Sequence, residues 1–208
     1  MEEKKISEQE SLELITQMIN QTKKDLSVGN GDSFLIWGYL SVAISLAVIV
    51  MLRATNDPNC AWLYLAIPIA GFTASSIKTY MAKRKSHVAS TYASNTINKV
   101  WAIISAVFAV YTIDCLLHFG EVRSWNGMFL LGMLLPGIGT YTSGVILKEK
   151  SIQMCGLLGV VIGTGWLRNF VSGEQVIGIM QMGLMVLSFV ITLVIPGHIL
   201  NFKAKKQP

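Results

Sequence analysis

Apolar residues occupy this chain in six long blocks, and within the blocks polar positions neither alternate nor return every helical turn. The blocks cover residues 34–52, 61–80, 100–119, 128–147, 152–170 and 176–199. A bilayer core about 30 Å thick requires about 20 apolar residues per helix, and each block reaches that length. A helix of a soluble bundle keeps a polar face toward water, and these blocks have almost none. The pattern predicts an all-α fold: an integral membrane bundle of six transmembrane helices preceded by a cytoplasmic amphipathic helix. Three segments follow: residues 1–31 as that helix and a turn, 32–200 as the transmembrane domain, and 201–208 as a basic tail.

The stretch before the first block has the other kind of pattern. Ser7-Glu8-Gln9-Glu10 fits a capping box, in which hydroxyl and carboxylate satisfy orphan backbone donors reciprocally. Leu12, Ile15, Ile19 and Leu26 then recur at helical spacing, with Glu13, Gln17, Asn20 and Lys24 on the opposite face. Gly29-Asn30-Gly31 ends this helix, and Asp32 or Ser33 can cap the first span. An interfacial helix is usually basic, whereas this one is acidic. Two readings stand: the Leu/Ile stripe packs on the ends of the spans, or it docks a cytoplasmic protein partner.

Composition agrees with the pattern. The 208 residues are 52% hydrophobic and 14% charged, with a mean hydropathy of +0.51; a soluble domain carries about a quarter charged residues. High hydrophobicity excludes a disordered chain. Three cysteines without paired spacing exclude a disulfide-stapled module. No cleavable signal peptide is visible, since the first 30 residues lack an apolar core.

Charge gives direction. Fourteen of the seventeen Lys and Arg residues flank one end of the spans, leaving Arg53, Arg123 and Arg168 at the other. Short cytoplasmic loops concentrate Lys and Arg, so both termini are expected in the cytoplasm. The Lys83-Arg84-Lys85 cluster reads as a topology signal and lipid headgroup contact, with no nucleic acid implied. The loop at 81–99 is the longest expected between spans.

The first two hairpins resemble one another. Trp37 and Ser41 match Trp101 and Ser105 at an offset of 64, and Pro68, Gly71 and Ser75 match Pro136, Gly139 and Ser143 at an offset of 68. Pro136-Gly137 and Pro196-Gly197 are expected to interrupt their helices. Thr140, Tyr141 and Thr142 follow the first of these pairs. They could line a polar cavity, or bond carbonyls freed by proline in a packed interface; packing is the preferred reading. Gly159-x-x-x-Gly163 allows two backbones to approach closely. Such faces permit a homo-oligomer without requiring one.

An ionisable group at membrane depth is a functional candidate. Asp114 lies about 21 Å from the inner end of its block and Arg168 about 24 Å from the inner end of its own, at about 1.5 Å per residue. Their similar depth makes them a candidate pair with His118 nearby, and Asp114, Arg168, His118 and Tyr141 form the candidate intramembrane polar site. The alternative is that both charges reach the outer interface. His87, His118 and His198 fall on different levels and cannot share a metal. No HExxH, P-loop or G-x-S-x-G is present. Neither cofactor nor catalytic residue is expected, and the chain is not read as an enzyme.

Three segments carry a resemblance: Ile195-Pro-Gly-His-Ile-Leu-Asn-Phe-Lys203, Phe34-Leu-Ile-Trp-Gly-Tyr39, and Glu10-Ser-Leu-Glu-Leu-Ile-Thr-Gln-Met-Ile19. Together they resemble a family of uncharacterised bacterial six-span inner-membrane proteins. The resemblance implies location and topology and carries no activity. The leading expectation is a non-enzymatic regulatory or scaffold protein in the bacterial inner membrane, contacting lipid and a cytoplasmic partner through Leu12, Ile15, Ile19 and Leu26. The alternative is a small-solute or ion transporter using polar groups in spans three to five.

Overall fold

The computed structural model describes residues 12, 13, 16, 30–85, 92–117, 122–172 and 179–206. Among them every regular element is helical. The order is α1 (Asn30–Thr55), a 3-10 helix (Pro58–Leu65), α2 (Ala66–Lys85), α3 (Tyr92–Leu117), α4 (Val122–Ile146), α5 (Lys150–Ser172), α6 (Ile179–Phe189), a π-helical stretch (Val190–Val194) and α7 (Ile195–Lys206). Six stretches are long and apolar enough to cross a bilayer: Gly31–Thr55, Asn59–Met81, Ala93–Leu117, Gly127–Ile146, Lys150–Leu167 and Ile179–Lys205. The protein is an all-α, multi-pass membrane bundle, and each span overlaps one apolar block of the sequence.

Three sequence expectations change. Neither Pro-Gly pair ends a helix: α4 runs unbroken through Pro136, and the last span passes Pro196 by opening a π-helical stretch just before it. The residues between spans two and three are also more helical than expected, because α2 reaches Lys85 and α3 begins at Tyr92. The amphipathic helix lies outside the described residues except for Leu12, Glu13 and Thr16, which are helical; Thr16 Oγ1 donates to the Leu12 carbonyl at 2.8 Å. Ile15, Ile19 and Leu26 lie outside them.

Large apolar side chains such as Val50, Ile69, Ile103, Val110, Leu117 and Val161 face outward, where lipid is as apolar as they are. Inside, large side chains such as Phe129, Met133, Trp166 and Met182 form a core, and glycines sit where helices approach most closely. The closest helix pair is the antiparallel α4–α5 hairpin. A Cβ on Gly156 would collide with the Tyr141 backbone, and one on Gly144 would lie 2.6 Å from the Gln153 nitrogen. The hairpin closes in three residues. Lys148 takes a left-handed φ of 56°, while its N–H bonds Val145 O at 3.1 Å and the Glu149 N–H bonds Gly144 O at 2.8 Å. These are the two bonds of a Schellman motif, which satisfies carbonyls at a helix end.

α1 meets α7 through Gly31 and Gly197, and meets the π-helical stretch before it through Gly38. A Cβ on Gly38 would lie 2.9 Å from Val194 Cγ2, and one on Gly197 would lie 2.8 Å from Leu35. Side chains tie the lysine-rich end of this assembly. Asn201 Nδ2 donates to Asp32 Oδ1 at 2.8 Å, Lys78 donates to Ser33 Oγ at 3.2 Å and lies 3.8 Å from Asp32 Oδ2, and Lys203 pairs with Glu149.

The repeat in the sequence corresponds to a repeated contact. Trp37 Nε1 on α1 donates to Ser75 Oγ on α2 at 3.1 Å. Trp101 Nε1 on α3 donates to Ser143 Oγ on α4 at 3.2 Å. In each hairpin the glycine one turn before the serine leaves room for the indole: a Cβ on Gly71 would touch the Trp37 ring at 2.5 Å, and one on Gly139 would approach Trp101 at 3.1 Å. The partners lie 38 residues apart in the first hairpin and 42 in the second. Hence the two offsets differ by four, while the contact itself is kept.

Candidate functional site

The polar groups inside the bundle share one chemistry. The buried polar side chains among the described residues are Ser41 and Ser45 on α1, Thr140 and Ser143 on α4, and Ser188 and Thr192 on the last span. Each helix presents two hydroxyls, three or four residues apart, so that both fall on one face. No buried side chain in this set is charged.

The hydroxyls nearer the lysine-rich end are satisfied within the protein. Ser143 Oγ donates to Gly139 O at 2.7 Å while accepting from Trp101. Thr192 Oγ1 donates to Ser188 O at 2.7 Å. Thr140 Oγ1 donates across the helix interface to Thr192 O at 2.6 Å. That carbonyl is four residues before Pro196, where the missing amide would have been its α-helical donor. Thr140 therefore supplies the bond that proline removes. Gly159 provides the space: a Cβ there would collide with Thr192 Cγ2.

Farther from that end the buried polar atoms are unpartnered. Ser45 Oγ, Tyr64 Oη, Trp166 Nε1 and Ser188 Oγ make no hydrogen bond, in residues only 0%, 6%, 4% and 0% exposed respectively. Ser45 and Ser188 sit at one level, because Gly38 packs on Val194, and seven residues along α1 correspond roughly to six back along the antiparallel last span. The Tyr64 hydroxyl lies beside Ser45. The Tyr64 ring meets Phe129 edge-on at a centroid distance of 5.5 Å, and Phe129 meets Trp166 at 6.1 Å. These four polar groups come from four spans and lie toward the end away from the lysines.

The residues singled out from the sequence are placed elsewhere. Asp114 is exposed on α3, and Tyr141 is exposed on α4, pointing away from the buried face that carries Thr140 and Ser143. His118 and the side chain of Arg168 lie outside the described residues. Among the described residues no group of His, Cys, Asp or Glu is arranged to hold a metal, and Cys60, Cys115 and Cys155 are free thiols. Leu12 is 65% exposed. Sequence reasoning singled out Ser41, Thr140 and Ser143 but passed over Ser45, Ser188 and Thr192; their signal was the i, i+3 or i, i+4 pairing of Ser and Thr in three separate spans.

Comparison of the chain with known family models, curated proteins and solved structures returns no match.

Proposed function

We propose that this protein is a non-enzymatic membrane protein that holds, and passes across the bilayer, a small neutral polar solute. The observation that carries this reading is the set of six buried hydroxyl side chains on three spans, with no buried charge among them. Leaving a polar atom unpartnered in an apolar interior costs about 1–3 kcal/mol. Of the six, Ser45 and Ser188 are kept there without a hydrogen bond, and they suit a ligand that supplies the missing bonds. An uncharged lining disfavours ions, whose desolvation it cannot repay. In this reading the lysine-rich end faces the cytoplasm of a bacterial cell, with the protein in the inner membrane.

Purified protein in lipid vesicles tests the proposal. Stopped-flow light scattering with glycerol and with urea is expected to show permeation several-fold faster than in protein-free vesicles. Equal rates for both solutes would sink it.

A second reading keeps the protein as a regulator that acts by contact. It is favoured by Leu12, a large apolar side chain left 65% exposed on a helical segment ahead of the spans. Deleting residues 1–28 is then expected to release proteins that crosslink and co-purify with it from native membranes. Unchanged co-purification would remove this reading.

A further inference from the structure

Tyr39 and His198 meet on the outer surface of the bundle. The Tyr39 hydroxyl on α1 lies 2.7 Å from His198 Nε2 on α7, and the two rings pack edge-on at a centroid distance of 5.9 Å. The pair is no part of the core, since Tyr39 is 51% exposed and His198 is exposed beside it. Whichever way their bond runs, one donor is left over. It is Nδ1–H where Tyr39 donates to Nε2, and the Tyr39 O–H where Nε2–H donates to the phenol oxygen. Tyr39 is the one hydrogen-bond partner of His198 among the described residues. The spare donor therefore calls for an acceptor in whatever covers this surface.

The pair stands in a ladder of side chains. Ile195, His198, Phe202 and Lys205 are all exposed and recur at spacings of three and four, which puts them on one face of α7. Tyr39 and Leu46, also exposed, share a face of α1 in the same way. From the lysine-rich end inward, the surface offers a cation, an aromatic ring, a hydrogen-bonding pair and then apolar side chains. Lys205 lies about 10 Å beyond His198 along the helix axis. A headgroup layer is about 5–8 Å deep, so the two residues bracket it. Lys78 and Lys203, at the same end, each lie beside an acid. Lys205 has no acid partner among the described residues.

We propose that this face of α1 and α7 binds one phospholipid with a net anionic headgroup. A phosphate or ester oxygen accepts the spare hydrogen bond of the Tyr39–His198 pair, the headgroup lies beside Lys205, and an acyl chain runs along Ile195 and Leu46. A choline headgroup would set its ammonium against the Lys205 cation, whereas an anionic one has no such repulsion. The site rests on neither reading given under the proposed function, and its test is independent of both.

Native mass spectrometry of the full chain in detergent, loaded with equal amounts of phosphatidylglycerol and phosphatidylcholine, tests this. One phosphatidylglycerol per chain is expected to stay bound, retained at least fivefold over phosphatidylcholine. His198→Phe keeps a ring and removes both nitrogens. It is expected to lower phosphatidylglycerol retention about fivefold, the equivalent of one hydrogen bond of about 1 kcal/mol. Lys205→Gln is expected to bring the two lipids within twofold of each other. Lys150→Gln, at an exposed lysine of the same end on α5, is expected to leave the preference unchanged. Melting temperatures identify a variant that fails to fold, and the other then decides. Equal retention of both lipids by the intact chain overturns the site. So does a preference that survives His198→Phe and Lys205→Gln, or one that falls equally with Lys150→Gln.

Discussion

Gly156→Ala is expected to destabilise the bundle by about 3 kcal/mol, at the top of the range for forcing extra volume into a packed interior. The physical reason is that the added methyl would meet backbone. On α4 it would meet the Tyr141 amide nitrogen, and it would lie 2.6 Å from Tyr141 Cα and 2.8 Å from Gly137 O. A flexible side chain could turn aside, whereas here the helices must separate. Their separation is held from both sides: a Cβ on Gly137 would lie 2.7 Å from the Val160 nitrogen, and one on Gly163 would lie 3.0 Å from Leu134 Cα. The three-residue turn between the helices leaves little slack to absorb the shift. Gly165→Ala on the same helix is the control, because nothing lies within 4 Å of its Cβ. That variant is expected to be neutral or up to about 1 kcal/mol more stable, reflecting helix propensity alone. Denaturation of both variants in mixed detergent micelles measures the difference. Equal stability of Gly156→Ala and the parent chain would mean that this glycine does not set the spacing.

This contrast bears on what the sequence makes legible. The six spans follow from length and hydropathy because the bilayer constrains each helix separately. The Trp-and-Ser repeat was also readable, since Trp37, Gly71 and Ser75 return as Trp101, Gly139 and Ser143, and both sets make the same hydrogen bond. The interior face was harder to read. In a soluble protein it would be the apolar stripe, but here apolar side chains lie on both the outer surface and the core, so hydropathy does not separate the two faces. Gly156 and Gly165 look alike in the sequence, yet one touches the next backbone and the other touches nothing. Charge drew attention to Asp114, which α3 carries on an exposed position. The unpartnered groups are an ordinary Ser45, Tyr64, Ser188 and Trp166 from four spans, and no spacing in the sequence marks them. Pro196 was legible as a disturbance and not as its outcome, because the helix survives through a donor 52 residues earlier, on α4.

That long-range substitution of one donor for another gives a sharp expectation for Thr140→Val. The change keeps the shape of the side chain and removes the hydroxyl that bonds Thr192 O at 2.6 Å. With proline at 196 that carbonyl has no α-helical amide donor, and Thr140 is fully buried, which prevents water from replacing the lost bond. A buried acceptor stripped of its partner costs about 1–3 kcal/mol, and Thr140→Val is expected to fall in that range. Pro196→Ala returns an amide to position 196. With that donor present, the Val190–Val194 stretch can revert from the π to the α register, and Thr192 O is satisfied within its own helix. In the Pro196→Ala background Thr140→Val is therefore expected to cost little, giving a coupling of about 1–2 kcal/mol, within the range for residues that share a hydrogen-bond network. A double-mutant cycle of unfolding free energies measures it. Purely additive effects would show that the Thr140 hydroxyl does not stand in for the missing amide, and the π-helical stretch would then need a cause other than Pro196.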